Sequence, residues 1–142
     1  MARGWMGRLR GYLPNRWPHW SDPAPLDLTA EAYGPFLASR RLTAAGDVVA
    51  VATPGHTPDH VSVLVEDHGT TYLLAGDASY DQRLMLACRV DGVSPDDAAA
   101  EATLRAIAEF SATRPVVYLP THDPESAMRL AARTCVSRGA AR

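Results

Sequence analysis

The chain has 142 residues, of which 46% are hydrophobic and 21% charged, with a formal net charge of −2. This supports one domain with a buried core and excludes a disordered chain. The charge balance excludes bulk attraction to nucleic acid, and no apolar run approaches the ~20 residues of a membrane span.

Residues 1–25 carry Arg3, Arg8, Arg10 and Arg16, with no acidic residue before Asp22. Trp5, Tyr12, Trp17 and Trp20 crowd there among Pro14, Pro18, Pro23 and Pro25. With no apolar core the segment is not a signal peptide. It reads as an irregular arm with one short helix before Pro14, packing its aromatics on the sheet. The domain proper then covers residues 26–135, and residues 136–142 form a frayed tail. Cys88 and Cys135 are far apart and in no CxxC pattern, which fits a reducing, cytoplasmic compartment.

Residues 26–41 leave strand and helix both open, punctuated by Gly34-Pro35. Residues 47–53 (DVVAVAT) predict a strand ending at a Pro-Gly turn. Residues 61–66 (VSVLVE) and 71–75 (TYLLA) predict an antiparallel hairpin turning at Asp67-His68-Gly69. Ser94 is the predicted N-cap of a helix with Pro95 in its first turn and Asp96 and Asp97 at its positive end. Leu104, Ile107, Ala108 and Ser111 make its buried stripe, with Arg105 and Glu109 on another face. Residues 116–119 (VVYL) predict a buried strand. Asp123-Pro124-Glu125 caps a last helix running to about Arg133. Strands followed by helix, strand and helix give an α/β (α+β) fold.

Three potential ligands each follow a predicted strand: His56 in TPGHTPDH, Asp77 in LLAGDASY and His122 in YLPTHD. Strand ends place side chains on a rigid frame, and neighbouring strands bring such ends together. Two imidazoles and a carboxylate make a reasonable zinc set. The structural alternative for each is a hydrogen-bonded loop residue. His19 and His68 read as solvated.

TPGHTPDH, then GDASY, then PTHDPES resembles the ordered C-terminal motifs of the metallo-β-lactamase superfamily. The likeness runs from about Leu42 to Arg133, and the upstream GYLPNRWPHW, LDL and YGPF segments resemble the N-acyl-homoserine lactonase branch. It implies the C-terminal half of an αββα sandwich. It implies His56 and His122 as zinc ligands and Asp77 as the carboxylate bridging two zinc ions. It also implies that Tyr80 donates a hydrogen bond to the substrate, while His60 orients the loop without holding metal. The implied reaction is attack of a zinc-activated water on a lactone or other ester carbonyl. Asp59 stands where the family usually has Gly, which matters if that backbone needs positive φ.

The HxHxDH motif that supplies the other half of the family's site occurs nowhere in this chain. The expectation is at most one weakly held zinc, little or no turnover by this chain alone, and self-association through an uncovered sheet face. The rival reading is a non-catalytic homologue that binds a partner chain or is an inert remnant.

Overall fold

The computed structural model describes Pro18, Trp20, residues 24–29 and residues 31–137. The short helix expected before Pro14, His19 and the last five residues of the tail lie outside the described residues. Five strands form one sheet in the order β1-β2-β3-β4-β5. They are β1 (Ser39–Arg41), β2 (Val48–Ala52), β3 (Val61–Asp67), β4 (Thr70–Gly76) and β5 (Val116–Pro120). The first four form an antiparallel meander, and β5 lies parallel to β4 after a helical crossover. The mixed sheet with helices is the expected fold class, and among the described residues no helix is long and apolar enough to cross a membrane.

The segment left open between strand and helix is extended. Thr29 bridges Ser39, and a tight turn at Gly34-Pro35 joins Tyr33 to Phe36. The β3–β4 hairpin turns on His68 and Gly69, at φ 48° and 80°. A two-residue turn with both φ positive matches the twist of the strands it joins, and His tolerates that region better than most residues.

Three helices follow: α1 (Gln82–Leu86), α2 (Asp97–Thr113) and α3 (Ser126–Ala132). No pattern in the sequence marks the five-residue α1. Asp81 caps it by accepting from Leu84 N–H at 2.8 Å. The cap of α2 is Asp96, not Ser94, because the Asp96 carboxylate accepts from Ala99 N–H at 3.0 Å. Ser94 is occupied by Asp91 Oδ1, and Pro95 therefore precedes the cap. Leu104, Ile107 and Ser111 are buried as expected, Ala108 is half-buried, and Arg105 turns back to Glu101. At α3 the Glu125 side chain makes no capping bond. Asp123 instead accepts from Glu125 N–H at 2.9 Å. Val136, placed at the head of a frayed tail, is an anchored position: it is buried and its N–H bonds Val116 O at 2.7 Å.

The core lies on the face covered by α1 and α2, where Val49, Val51, Leu64, Leu73 and Tyr118 meet Met85, Leu104, Ile107 and Phe110. The opposite face is covered at its β5 end, where Tyr72, Val117 and Leu119 cluster with Val65 and Cys135.

Candidate metal centre

The strand ends at the site are locked by small-residue contacts and buried hydrogen bonds. Past β2, Gly55 adopts φ 145°, and a Cβ there would lie 2.5 Å from the Ala100 Cα of α2. Only glycine permits that approach. Thr103 Oγ1 donates to Pro54 O at 2.6 Å, and Thr53 N–H to His60 O at 3.0 Å closes the loop carrying His56. Asp59 is not among the residues with positive φ, so its replacement of glycine adds no strain to this loop.

His60 ties that loop to the end of β4. Its Nδ1 faces the Thr53 carbonyl at 3.0 Å and hydroxyl at 2.9 Å, while Nε2 accepts from Asp77 N–H at 3.1 Å. An acceptor at Nε2 requires the proton on Nδ1, so the ring is the neutral Nδ1–H tautomer. Burial holds its pKa below the ordinary histidine value, outweighing the Thr53 bond and the Asp77 charge. With both nitrogens engaged, His60 supports the Asp77 backbone and presents no free lone pair to a metal. Gly76 makes room for it, since a Cβ there would lie 2.9 Å from His60 Nε2.

Beyond Asp77, Ser79 donates to Asp81 O at 3.0 Å and lies 2.8 Å from the buried Tyr118 hydroxyl. Since the Ser79 proton goes to Asp81, the Tyr118 proton goes to Ser79 Oγ. Burial raises the Tyr118 pKa well above the ordinary phenol value, so it remains protonated. Past β5, Thr121 N–H bonds Gly76 O at 2.9 Å and sets His122 beside the end of β4.

These anchors place Asp77 between the two histidines. His56 Nε2 is 3.6 Å from Asp77 Oδ2, and His122 Nε2 is 3.3 Å from Asp77 Oδ1. The Tyr80 ring lies 5.4 Å from that of His122. His56, Asp77, Ser79, Tyr80, Asp91 and His122 line a cleft of about 20 Å³, room for about one water. Asp91 and Ser79 were not singled out by the sequence. Asp91 stands in a loop whose path depends on the unforeseen α1, and no spacing pattern marks it.

The three expected ligands come together, but not round a single point. Among the described residues no group of three or more His, Cys, Asp or Glu side chains is arranged to hold one metal ion. Each carboxylate oxygen of Asp77 faces one imidazole instead. Donors about 2.0–2.2 Å from a tetrahedral zinc stand about 3.3–3.5 Å apart, close to both spacings here. Asp77 Oδ1 and His56 Nδ1 are also buried without a hydrogen-bond partner. The donor types, two imidazoles with one facing each oxygen of a carboxylate, fit the chemistry of zinc.

The sequence profile of the Metallo-beta-lactamase superfamily matches residues 3–122. A search of curated proteins found no match. Among solved structures, the chain is similar to an N-acyl homoserine lactone hydrolase holding N-hexanoyl-L-homoserine at its catalytic metal center. It is similar also to an AiiA variant from B. thuringiensis with N-decanoyl-L-homoserine at its active site. Each is 24% identical with a TM-score of 0.51, and each match covers 63% of this chain but 35% of the solved one. This chain therefore spans about a third of their length, and the likeness speaks to fold. With the profile match reaching from residue 3 to residue 122, the chain belongs to the metallo-β-lactamase superfamily.

Proposed function

We propose that the chain supplies the C-terminal share of a two-metal hydrolase centre, with zinc as the metal and a lactone as the substrate, an N-acyl-homoserine lactone being the first candidate. The observation that carries this is the position of Asp77, with one imidazole on each carboxylate oxygen. His56 and His122 would each hold one ion and Asp77 would hold both. Zinc there would supply Lewis acidity and a water acidified towards neutral pH. The Tyr80 phenol, on the cleft wall, donates a hydrogen bond to the carbonyl or ring oxygen, where charge gathers as the ring opens. His60 keeps the Asp77 backbone fixed and takes no metal. The free thiols Cys88 and Cys135 support a reducing, cytoplasmic setting.

Zinc titration of the chain, followed through its histidine ring resonances, tests the metal assignment. We expect weak binding that moves His56 and His122, leaves His68 still, and is lost in Asp77→Ala. The lactone assignment is tested by joining the chain to a preceding segment with HxHxDH and assaying ring opening with zinc. Metal uptake without ring opening would remove the lactone and leave another ester or thioester.

One observation favours a second reading, a non-catalytic module that binds a partner chain or a second copy: each Asp77 oxygen has a single imidazole, with no third donor among the described residues. The open sheet face around Leu74, 45% exposed, would be the contact surface. No histidine movement at millimolar zinc would leave this reading standing.

A further inference from the structure

Tyr80 and His122 belong to loops far apart in sequence, and one buried carboxylate joins them. Asp123 directly follows His122, and its side chain is 4% exposed. Its Oδ2 accepts from Arg129 Nη2 at 2.6 Å and from the backbone N–H of Gln82 at 3.1 Å. Its Oδ1 accepts from Glu125 N–H at 2.9 Å. Arg129, 5% exposed, is fixed in turn by Nε donating to Tyr118 O and Nη1 donating to Glu125 Oε2, both at 3.2 Å. Gln82 opens α1 two residues after Tyr80, and its N–H is one of the donors a helix start leaves unpaired. The local cap, Asp81, takes Leu84 N–H. The Gln82 donor goes to a residue 41 positions away.

We propose that Asp123, oriented by Arg129, is a positioning residue that sets where Tyr80 stands relative to His122, acting through the hydrogen bond from Gln82 N–H. Tyr80 is 40% exposed, so burial alone does not fix its ring. Ser79 anchors the residue before it to Tyr118 on β5. Asp123 anchors the turn after it to the loop that carries His122. An ionised acceptor suits this work: it takes N–H donors strongly from two directions, and a neighbouring guanidinium keeps it charged when buried. The consequence for catalysis rests on the hydrolase reading, whereas the test is geometric and independent of metal binding or turnover.

The test removes one donor. Gln82 is the first residue of α1, where proline is well accepted, and Asp81 before it is extended at φ −146° and ψ 170°, as a residue preceding proline must be. Gln82→Pro therefore deletes the N–H and leaves the Asp123–Arg129 pair in place, while Gln82→Ala keeps the N–H and deletes only the side chain. In isotope-labelled protein, the NOE between the Tyr80 and His122 rings reports the site. The NOE between Phe36 and Phe110, 5.4 Å apart, reports the core. The expected result is loss of the Tyr80–His122 NOE in Gln82→Pro, its retention in Gln82→Ala, and the Phe36–Phe110 NOE in both. Asp123→Asn, which keeps the side-chain shape without the charge, is expected to weaken the same NOE and secures the result if the proline disturbs the core. An unchanged Tyr80–His122 NOE in a folded Gln82→Pro or Asp123→Asn protein, or equal loss in Gln82→Ala, would overturn the proposal.

Discussion

On one face of the sheet, Val49, Leu64, Leu73 and Tyr118 sit side by side across four strands, all fully buried beneath α1 and α2. One residue along each strand, Ala50, Val63, Leu74 and Leu119 make the matching row on the other face. That row is as apolar as the first, and Ala50 and Leu119 are buried at its two ends, yet Leu74 between them remains 45% exposed. The difference lies in the helices. Two helices and their connections cover the first face, while the seven-residue α3 follows β5 and the second cluster gathers at that end. An apolar strand pattern records what a face would bury, and what packs on that face decides whether it does.

Breaking each face in turn gives the largest contrast. Phe110 is 1% exposed and packs against Phe36 and Tyr33. Phe110→Ala should cost about 3–5 kcal/mol, seen as a large fall in the urea midpoint. Leu74→Ala, at the half-exposed position, should cost less than about 1 kcal/mol, because most of the transfer and cavity terms are missing. Equal losses would mean that the open face is covered in solution. Leu74→Glu sharpens the point: if copies associate through this face, sedimentation should show a lighter species without a loss of helical signal.

Next comes the buried pair beneath α3. Arg129→Met would strand the Asp123 carboxylate without its counter-ion, at a cost of about 3 kcal/mol or more. Burial pushes the Asp123 pKa upward, but the Glu125 N–H, the Arg129 guanidinium and the Gln82 N–H outweigh it and hold the carboxyl below its ordinary value. A depressed folded-state pKa adds stability that is present above the unfolded value of about 3.9 and lost as pH falls through the folded one. The wild type should therefore lose this contribution only below about pH 4. In Arg129→Met the loss should begin at higher pH, checked by acid titration of the circular dichroism.

The strands were readable because their runs are β-branched or almost continuously apolar: the VSVLVE of residues 61–66 lies in Val61–Asp67, and the TYLLA of residues 71–75 in Thr70–Gly76. The meeting of His56, Asp77 and His122 was readable for the same reason, since each follows such a run. Their division into two pairs was not readable. It depends on the Asp77 side chain standing between the imidazoles, where His60, 17 residues upstream, bonds the Asp77 N–H and Gly76 next to it leaves room for the ring. Asp91 on the cleft wall and the Asp123–Gln82 bond were equally hidden, because both follow from α1, five residues long and without a periodic stripe.

The caps of the covered face provide smaller tests. Asp96→Ala should cost about 1 kcal/mol through the lost bond to Ala99 N–H. Ser94→Ala should cost well under that, since its hydroxyl meets Asp91 at 3.3 Å and touches no helix N–H. The reverse order in thermal melts would restore Ser94 as the cap.

The smallest effect is expected at Cys88. Ala87 ends α1, and Cys88 follows at φ 48°, with its N–H bonded to Met85 O and the Arg89 N–H bonded to Leu84 O, both at 3.0 Å. This double bond pattern closes a helix through a left-handed residue, a place that usually belongs to glycine. A side chain there costs about 1 kcal/mol. Cys88 recovers part of it by packing against the covered core. Cys88→Gly should therefore leave stability unchanged or raise it by less than about 1 kcal/mol, while Cys88→Ala, which keeps the strain and loses the sulfur contact, should lower it. A fall in melting temperature for both would show that the thiol's contact with the core outweighs the backbone strain. The closed face would then draw stability even from a helix end, as the opposite face does from Cys135, which follows the left-handed Arg133 at the end of α3 and packs against its cluster.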